Sequence, residues 1–459
     1  MQATSPNTII ETLKHRREKL AQLISIPAIL WSGKPPKRNF PSNLFPFRAS
    51  SHFLYFAGLP VEDAAIRLDS GKLELFMDDP NPESTLWHGQ MPTREQIARA
   101  IGADAAFAKT ELDGRTAGAA TIAVQDSATR AEQYMLRSSS KDSEERYKEI
   151  DLELAKAIAT VRLTHDRVAL SQLMSAAACT IQAHLAGMMA TPRAKTEAMV
   201  RAAMEGVLIA NHMQCAYNSI VTVHGEVLHN QVYHHPIAPG DLLLADLGAE
   251  TASGWAADVT RTWPVSGKFS PTQRDIYDVV LAAHDACIAY ARAGVEYQDI
   301  HFLACRIVAE GLVNLGILRG LPEDLVEMDA HALFFPHGVG HLLGLDVHDM
   351  EDLGDIAGYE SGRVRSDRFG LCFLRLNRPL RSGMLVTIEP GFYQVPAILN
   401  SDENRRKYND VVNWENLAKF SDVRGIRIED DVLITEARAE VLTSELPTTP
   451  NTIEQILQA

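Results

Sequence analysis

Positions 337 to 349 read His337-Gly338-Val339-Gly340-His341-Leu342-Leu343-Gly344-Leu345-Asp346-Val347-His348-Asp349, which places three histidines and two aspartates in thirteen residues. Neutral imidazole is the commonest protein metal ligand and the usual proton carrier near pH 7, so this density points to a metal or acid–base site. Glycines at 338, 340 and 344 allow the backbone to come close to whatever the histidines face. A glycine-rich surface loop would contain the same residues. The segment therefore needs acidic partners elsewhere before it reads as chemistry.

Four carboxylates in apolar surroundings offer themselves. Leu242-Leu243-Leu244-Ala245-Asp246 is an almost continuous apolar run with the pattern of a buried strand, and it ends on an aspartate. Burying that carboxylate alone would cost on the order of several kcal/mol, so a cation or a salt bridge must offset it. Twelve residues on, after a turn at Ser253-Gly254, comes Ala257-Asp258-Val259-Thr260-Arg261-Thr262. Alternation puts Asp258, Thr260 and Thr262 on one face, with Asp258 facing Asp246 across a hairpin. In Met384-Leu385-Val386-Thr387-Ile388-Glu389 alternation buries Met384, Val386 and Ile388 and leaves Glu389 on the other side. Gly425-Ile426-Arg427-Ile428-Glu429 repeats the arrangement, with Arg427 and Glu429 projecting together. Any one of these carboxylates reads as an ordinary ion-pair partner. Four of them together with the histidines do not.

These strands sit among helices. Asn7 to Leu23 has amphipathic spacing, Ala28 to Trp31 reads as a strand, and the aromatic run Phe53 to Phe56 suggests a buried strand or turn. Two strands between Ala64 and Met77 flank the hairpin signal Asp69-Ser70-Gly71, and a helix over Thr93 to Ile101 follows. The polar stretch from Ser138 marks a boundary, giving a smaller α/β domain over 1–150 and a larger one over 151–459. In the second, Ile150 to Met189 and Lys195 to Asn211 read as helices separated at Pro192. A further helix carries Ser270 as N-cap, Pro271 at its first position, Gln273 completing a capping box and Gly294 beyond its end.

Composition narrows the class. Hydrophobic residues make up 46% and charged residues 22% of 459 residues, an ordinary globular profile. A formal net charge of -15 with no long basic run argues against nucleic acid as a partner. The absence of an apolar run near 18 residues argues against a membrane. Five scattered cysteines without CxxC spacing argue against a disulfide framework. The polar N-terminus lacks the apolar core of a secretory signal, so the expected location is cytoplasmic.

The series Asp246, Asp258, His341, Glu389, Glu429 resembles the dinuclear metal site of the superfamily that contains aminopeptidase P, prolidase, creatinase and methionine aminopeptidase. The motifs Asp258-Val259-Thr260-Arg261-Thr262, His337-Gly338-Val339-Gly340-His341, Ile388-Glu389-Pro390-Gly391 and Gly425-Ile426-Arg427-Ile428-Glu429-Asp430 carry it. Phe47-Arg48 followed by Phe53-Leu54-Tyr55-Phe56-Ala57-Gly58 extends it to the first domain. The resemblance implies an α/β (α+β) protein with a pita-bread catalytic domain preceded by a creatinase-like N-terminal domain. It implies two divalent ions, Mn²⁺ first with Co²⁺ or Zn²⁺ as alternatives, a donor preference that hard oxygen ligands with one imidazole share. Asp246 would bind one ion, His341 and Glu389 the other, and Asp258 and Glu429 would bridge. A hydroxide shared by the ions would attack the peptide carbonyl, with Glu389 carrying its proton to the leaving nitrogen. His229, His337 and His348 match the substrate-side catalytic histidines, and Arg427 would brace the site beside Glu429. The same resemblance implies a small peptide with proline at its second position as partner, and a homodimer or homotetramer as the assembly.

Two departures shape the expectation. The family commonly separates its two aspartates by eleven positions rather than twelve, so a bulge or a longer turn must absorb one residue. The long segments before Glu389 and Glu429, with Phe373-Leu374-Arg375-Leu376-Asn377-Arg378-Pro379-Leu380 and Asn413-Trp414, resemble prolidase. By that resemblance Arg375 would hold the free carboxylate of an Xaa-Pro dipeptide, which favours an Xaa-Pro dipeptidase. The alternatives are an Xaa-Pro aminopeptidase acting on longer peptides, with Arg375 then a loop surface charge, and, more remotely, a non-catalytic binding protein.

Overall fold

The computed structural model describes residues 6–138 and 143–459; residues 139–142 of the polar boundary stretch lie outside them. The chain forms two compact units, Met1–Val168 and Ala169–Ala459. Residue 150 falls inside a helix, Glu144–Arg162.

The first unit is a mixed five-stranded sheet with helices. Its elements are α1 (Pro6–Leu23), β1 (Ala28–Trp31), α2 (Ser51–Ala57), β2 (Ala65–Asp69), β3 (Lys72–Phe76), α3 (Ser84–His88), α4 (Arg94–Ile101), β4 (Ala105–Phe107), β5 (Ala120–Thr121), α5 (Ser127–Ser138) and α6 (Glu144–Arg162). The strand order is β4-β3-β2-β1-β5. The hairpin between β2 and β3 turns through Ser70 (φ 52°) and Gly71 (φ 80°), a left-handed pair that suits a tight two-residue connection. The aromatic run expected to be strand or turn is helix α2. All seven of its residues are buried, so no polar face reveals the helical period. Gly58 (φ 74°) ends α2, its N–H reaching the Leu54 carbonyl at 2.7 Å. The buried Arg17 donates to the carbonyls of Phe56 at the end of α2 and of Ile101 and Gly102 at the end of α4, satisfying groups the helices leave open.

In the second unit α7 (Arg167–Ala190) and α8 (Glu197–Ala210) precede strands β6 (Gln214–Cys215), β7 (Ile220–Thr222), β8 (Leu242–Asp246), β9 (Ala249–Glu250) and β10 (Thr260–Pro264). Helices α9 (Pro271–Tyr290) and α10 (Tyr297–Asn314) follow, and then β11 (Leu385–Ile388), β12 (Gly391–Tyr393), β13 (Gly425–Arg427), β14 (Asp430–Ile434) and β15 (Ala439–Val441). The sheets pair as β10-β8-β7, β11-β14-β15, β12-β13 and β6-β9, antiparallel throughout. The capping box of Ser270 and Gln273 on α9 is present as expected.

Residues Arg167–Arg193 are long and apolar enough for a helix to cross a membrane, although polar residues interrupt every apolar run in them. Half or more of that window, 56%, is buried inside the protein, and the helix is bonded to the strands it packs on. The Thr180 hydroxyl accepts from the Ala249 N–H at 2.9 Å, and His184, one helical turn on, meets the Leu247 carbonyl at 3.2 Å. Trp263 donates to the Thr191 hydroxyl at 2.9 Å. Helix α7 thus fixes the β8–β10 hairpin from behind.

The register of that hairpin settles the twelve-residue spacing. Pairing runs from Leu242↔Pro264 to Asp246↔Thr260. It continues through Leu247 N–H to Val259 O (3.1 Å) and Ala257 N–H to Ala249 O (2.9 Å) to the bridge Glu250↔Ala256. The turn closes where Thr251 N–H meets Trp255 O at 2.9 Å. No residue is skipped, so Asp258 stands opposite Gly248, two positions from Asp246 and on its face. The extra residue lies in the turn, and there is no bulge. Gly248 is required by this approach, since a Cβ there would collide with the Ala257 carbonyl oxygen.

Candidate metal centre

Each expected carboxylate arrives at the end of a strand or just beyond it. Asp246 ends β8, Asp258 precedes β10, Glu389 follows β11, and Glu429 joins β13 to β14. The expected split of β11 into a buried and an open face is absent, because Leu385 and Thr387 are as buried as Val386 and Ile388. Glu429 and Arg427 are likewise buried, at 2% and 4% exposure.

Asp258, His341 and Glu429 offer ligand atoms that all lie within 4.8 Å of one another. His341 Nε2 lies 3.4 Å from Asp258 Oδ2 and 3.4 Å from Glu389 Oε1. Its Nδ1 lies 3.0 Å from the Leu342 carbonyl, which can only accept. That contact assigns the proton to Nδ1 and turns the Nε2 lone pair toward the carboxylates. A lone pair facing two carboxylate oxygens is unfavourable unless a cation or a proton lies between them. Asp246 and Asp258 each bring Oδ1 to 2.5 Å from the Tyr217 hydroxyl, which has a single proton to donate.

Charge crowding has the expected consequence. Burial pushes Asp258 up to about 7, with the neighbouring Asp246 adding to it. Burial also pushes Glu389 up to about 7, and raises Glu429 well above the carboxylate range together with Asp258 and Glu389. The cluster must bind protons or cations. Three buried carboxylates, the partly buried Glu389 and one imidazole with an outward lone pair fit two divalent ions in charge and donor type.

The surrounding contacts hold these donors in place. Arg427, expected to brace the site beside Glu429, makes its carboxylate contact with Asp246. Its Nη2 donates to Asp246 Oδ2 at 2.5 Å, its Nε to Thr260 and its Nη1 to the Tyr393 hydroxyl. Parity along β13 identified the face, but only the fold brings β8 beneath it. Glu429 is held instead by the Thr260 hydroxyl at 2.7 Å, while Arg261 Nη1 reaches the Glu429 carbonyl at 2.6 Å and its Nη2 reaches Asp430 at 2.7 Å.

The three expected substrate-side histidines differ. His337 has both ring nitrogens engaged, Nδ1 with the Gly338 carbonyl at 2.8 Å and Nε2 with the Tyr393 hydroxyl at 2.9 Å, and lies 3.9 Å from Glu389. Burial, with Arg427 nearby, holds it down to about 3, so it is neutral. His348 packs edge-on to His341 with ring centroids 4.2 Å apart and gives Nδ1 to Glu351 at 3.2 Å. His229 is exposed on the segment between β7 and β8, within electrostatic reach of Asp246, Arg427, Arg375 and His348. Arg375 is not a free cation. Its Nη1 donates to both oxygens of Glu351, at 2.6 and 2.7 Å. Arg375 and Glu351 line one cleft with His341, His348 and Arg365.

Tyr217, Tyr393 and Glu351 were not singled out by the sequence. Tyr217 lies in a short irregular link between β6 and β7, without periodicity or motif to mark it. Tyr393 stands four residues after Glu389, and its phenol became informative only when His337 and Arg427 met on it.

Residues 171–436 match the model of metallopeptidase family M24, and residues 13–125 match the aminopeptidase P N-terminal domain. A probable Xaa-Pro aminopeptidase of Paracoccidioides brasiliensis is 30% identical over 432 residues, covering 90% of this chain and 88% of its own. One of Talaromyces stipitatus is 34% identical over 427 residues, covering 90% and 87%. Zinc-substituted Escherichia coli aminopeptidase P in complex with product superposes with a TM-score of 0.79 at 25% identity, covering 98% of each chain. Proline aminopeptidase P II from Yersinia pestis gives 0.78 at 25% identity, covering 98% of this chain and 99% of its own. The larger unit has the pita-bread fold, preceded by the aminopeptidase P N-terminal domain.

Proposed function

This chain belongs to metallopeptidase family M24, and from that premise we propose that it is an Xaa-Pro aminopeptidase that releases the first residue of peptides with proline second. The broader class is a metal-dependent, proline-specific exopeptidase. The choice within it is carried by one observation: relatives matched over 90% of the chain are named Xaa-Pro aminopeptidase. That favours the aminopeptidase over the dipeptidase expected from the prolidase-like segments.

Asp246, Asp258, His341, Glu389 and Glu429 would hold the ions, and the oxygen-rich set suits Mn²⁺ first. Divalent ions bound there supply Lewis acidity, which polarises a carbonyl and lets water act as a nucleophile at neutral pH. Glu389 would be the carboxylate that takes a proton and releases it to the departing proline nitrogen. Arg427, Tyr393 and His337 form a relay in which Tyr393 donates to His337 Nε2 and accepts from Arg427. The relay fixes His337 as a neutral positioning group beside Glu389. His348, with Nδ1 held by Glu351, is left with Nε2 to meet substrate.

Kinetics of the full chain on Ala-Pro-Ala, Ala-Pro and Ala-Ala-Ala, after chelation and again after adding Mn²⁺, test the reading. The expected result is metal-restored cleavage with Ala-Pro-Ala preferred. A preference for Ala-Pro would return the assignment to dipeptidase, and cleavage of Ala-Ala-Ala at a similar rate would remove proline specificity.

A further inference from the structure

The cation best placed to read the far end of a substrate is already occupied. Arg375 acts electrostatically on His229, His337 and His348, so it stands among the imidazoles of the site. Glu351 takes its Nη1 with both carboxylate oxygens and also takes His348 Nδ1, joining the arginine and the histidine through one anion. Glu351 opens a short 3₁₀ turn (Glu351–Leu353) directly after Met350, whose left-handed backbone (φ 62°) aims that turn back toward His348. Burial raises the Glu351 carboxyl, but His348 and Arg375 outweigh it and hold it near 2, so it is an anion throughout the working range.

The chemistry of the two substrate classes differs at this point. In an Xaa-Pro dipeptide the proline bears a free carboxylate a few atoms from the scissile bond, whereas in a longer peptide the same position is a neutral carbonyl. Glu351 takes only Nη1 of Arg375, so a carboxylate that approaches the rest of the guanidinium shares it with the Glu351 anion and is repelled by that anion across the half-exposed cleft. A neutral carbonyl meets no such penalty.

We infer that Glu351 is a specificity-determining residue, whose anion offsets the charge of Arg375 and repels the carboxylate of a dipeptide, and so favours peptides that continue past proline. This rests on the Xaa-Pro aminopeptidase reading and names the residue responsible for it.

The test compares Ala-Pro with Ala-Pro-amide, identical but for the charge, on the metal-loaded full chain. The wild type should cleave the amide better. In Glu351→Gln, which also loosens His348 and slows both substrates, the ratio of kcat/KM for Ala-Pro to kcat/KM for the amide should rise at least tenfold, and that rise should vanish in Glu351→Gln/Arg375→Gln. A general structural disturbance would move both substrates together. Should Glu351→Gln not fold, Glu351→Ala serves the same comparison, and the wild-type ratio remains a test of its own. If the wild type prefers the amide but the variant ratio is unchanged, the inference is overturned and the aminopeptidase reading stands. If the wild type prefers Ala-Pro, both fall.

Discussion

Tyr217 shows how much a single hydroxyl controls at this site. Its O–H holds the two aspartates together and keeps Asp258 from rising further. In Tyr217→Phe the Asp258 carboxylate should bind its proton more tightly, so a divalent ion competes less well. A hydrogen bond to a charged group contributes about 1.5–3 kcal/mol, so Mn²⁺ affinity at pH 7 should weaken by roughly tenfold or more. Isothermal titration would show it, and an unchanged isotherm would make Tyr217 a mere neighbour. Glu389→Gln removes both a ligand charge and the proton carrier. Turnover of Ala-Pro-Ala should drop by about a hundredfold or more, and near-normal turnover would mean that another carboxylate moves the proton.

At the scale of elements, the β8–β10 hairpin decides whether the site exists. Its register puts Asp246 and Asp258 on one face only because no residue bulges out between Leu242 and the turn at Thr251, and because Gly248 lets the Ala257 carbonyl come close. In Gly248→Ala the added methyl must push the strands apart. Overpacking of this kind costs about 1–3 kcal/mol, or more where backbone is struck. The melting temperature should fall by several degrees, and metal content after dialysis should fall with it. Retention of both would show that the hairpin yields without moving its aspartates.

Two properties belong to the whole molecule. A ligand that binds only the folded chain stabilises it by about 2.7 kcal/mol at a hundred times its dissociation constant, so thermal unfolding should shift upward with added Mn²⁺ and downward with chelator. Acid should destabilise the second unit through its buried histidines. Burial lowers His301 to about 3, and His184 and His331 to about 4. Above pH 6.5 these rings are neutral whether the chain is folded or not, and the stability they permit is complete. Below it the unfolded chain takes up protons that the folded one refuses, so stability falls as pH drops from 6.5 toward 3–4, by on the order of 1 kcal/mol per pH unit for each ring. Denaturant titrations of His301→Gln should show a shallower loss between pH 6.5 and 4. An identical slope would place the acid sensitivity elsewhere.

The proposed ligand residues could be picked out in the sequence because each lies in a short motif whose apolar neighbours and glycines are local: Leu242 to Asp246, Gly338 to His341, Ile388 to Gly391. Strand and helix periods carried most of the elements for the same reason. Where a segment is buried on every side the period vanishes, which is why α2 resembled a strand or turn and β11 a half-open strand. Contacts between segments distant in sequence could not be read. Arg427 on Asp246 joins positions 181 residues apart, Tyr217 reaches aspartates 29 and 41 residues on, and Glu351 meets Arg375 across 24. No local pattern records such pairings. Side-chain chemistry and near-neighbour spacing determined which groups could bind metal, and only the tertiary structure decided which of them hold one another and which cation is left for a substrate.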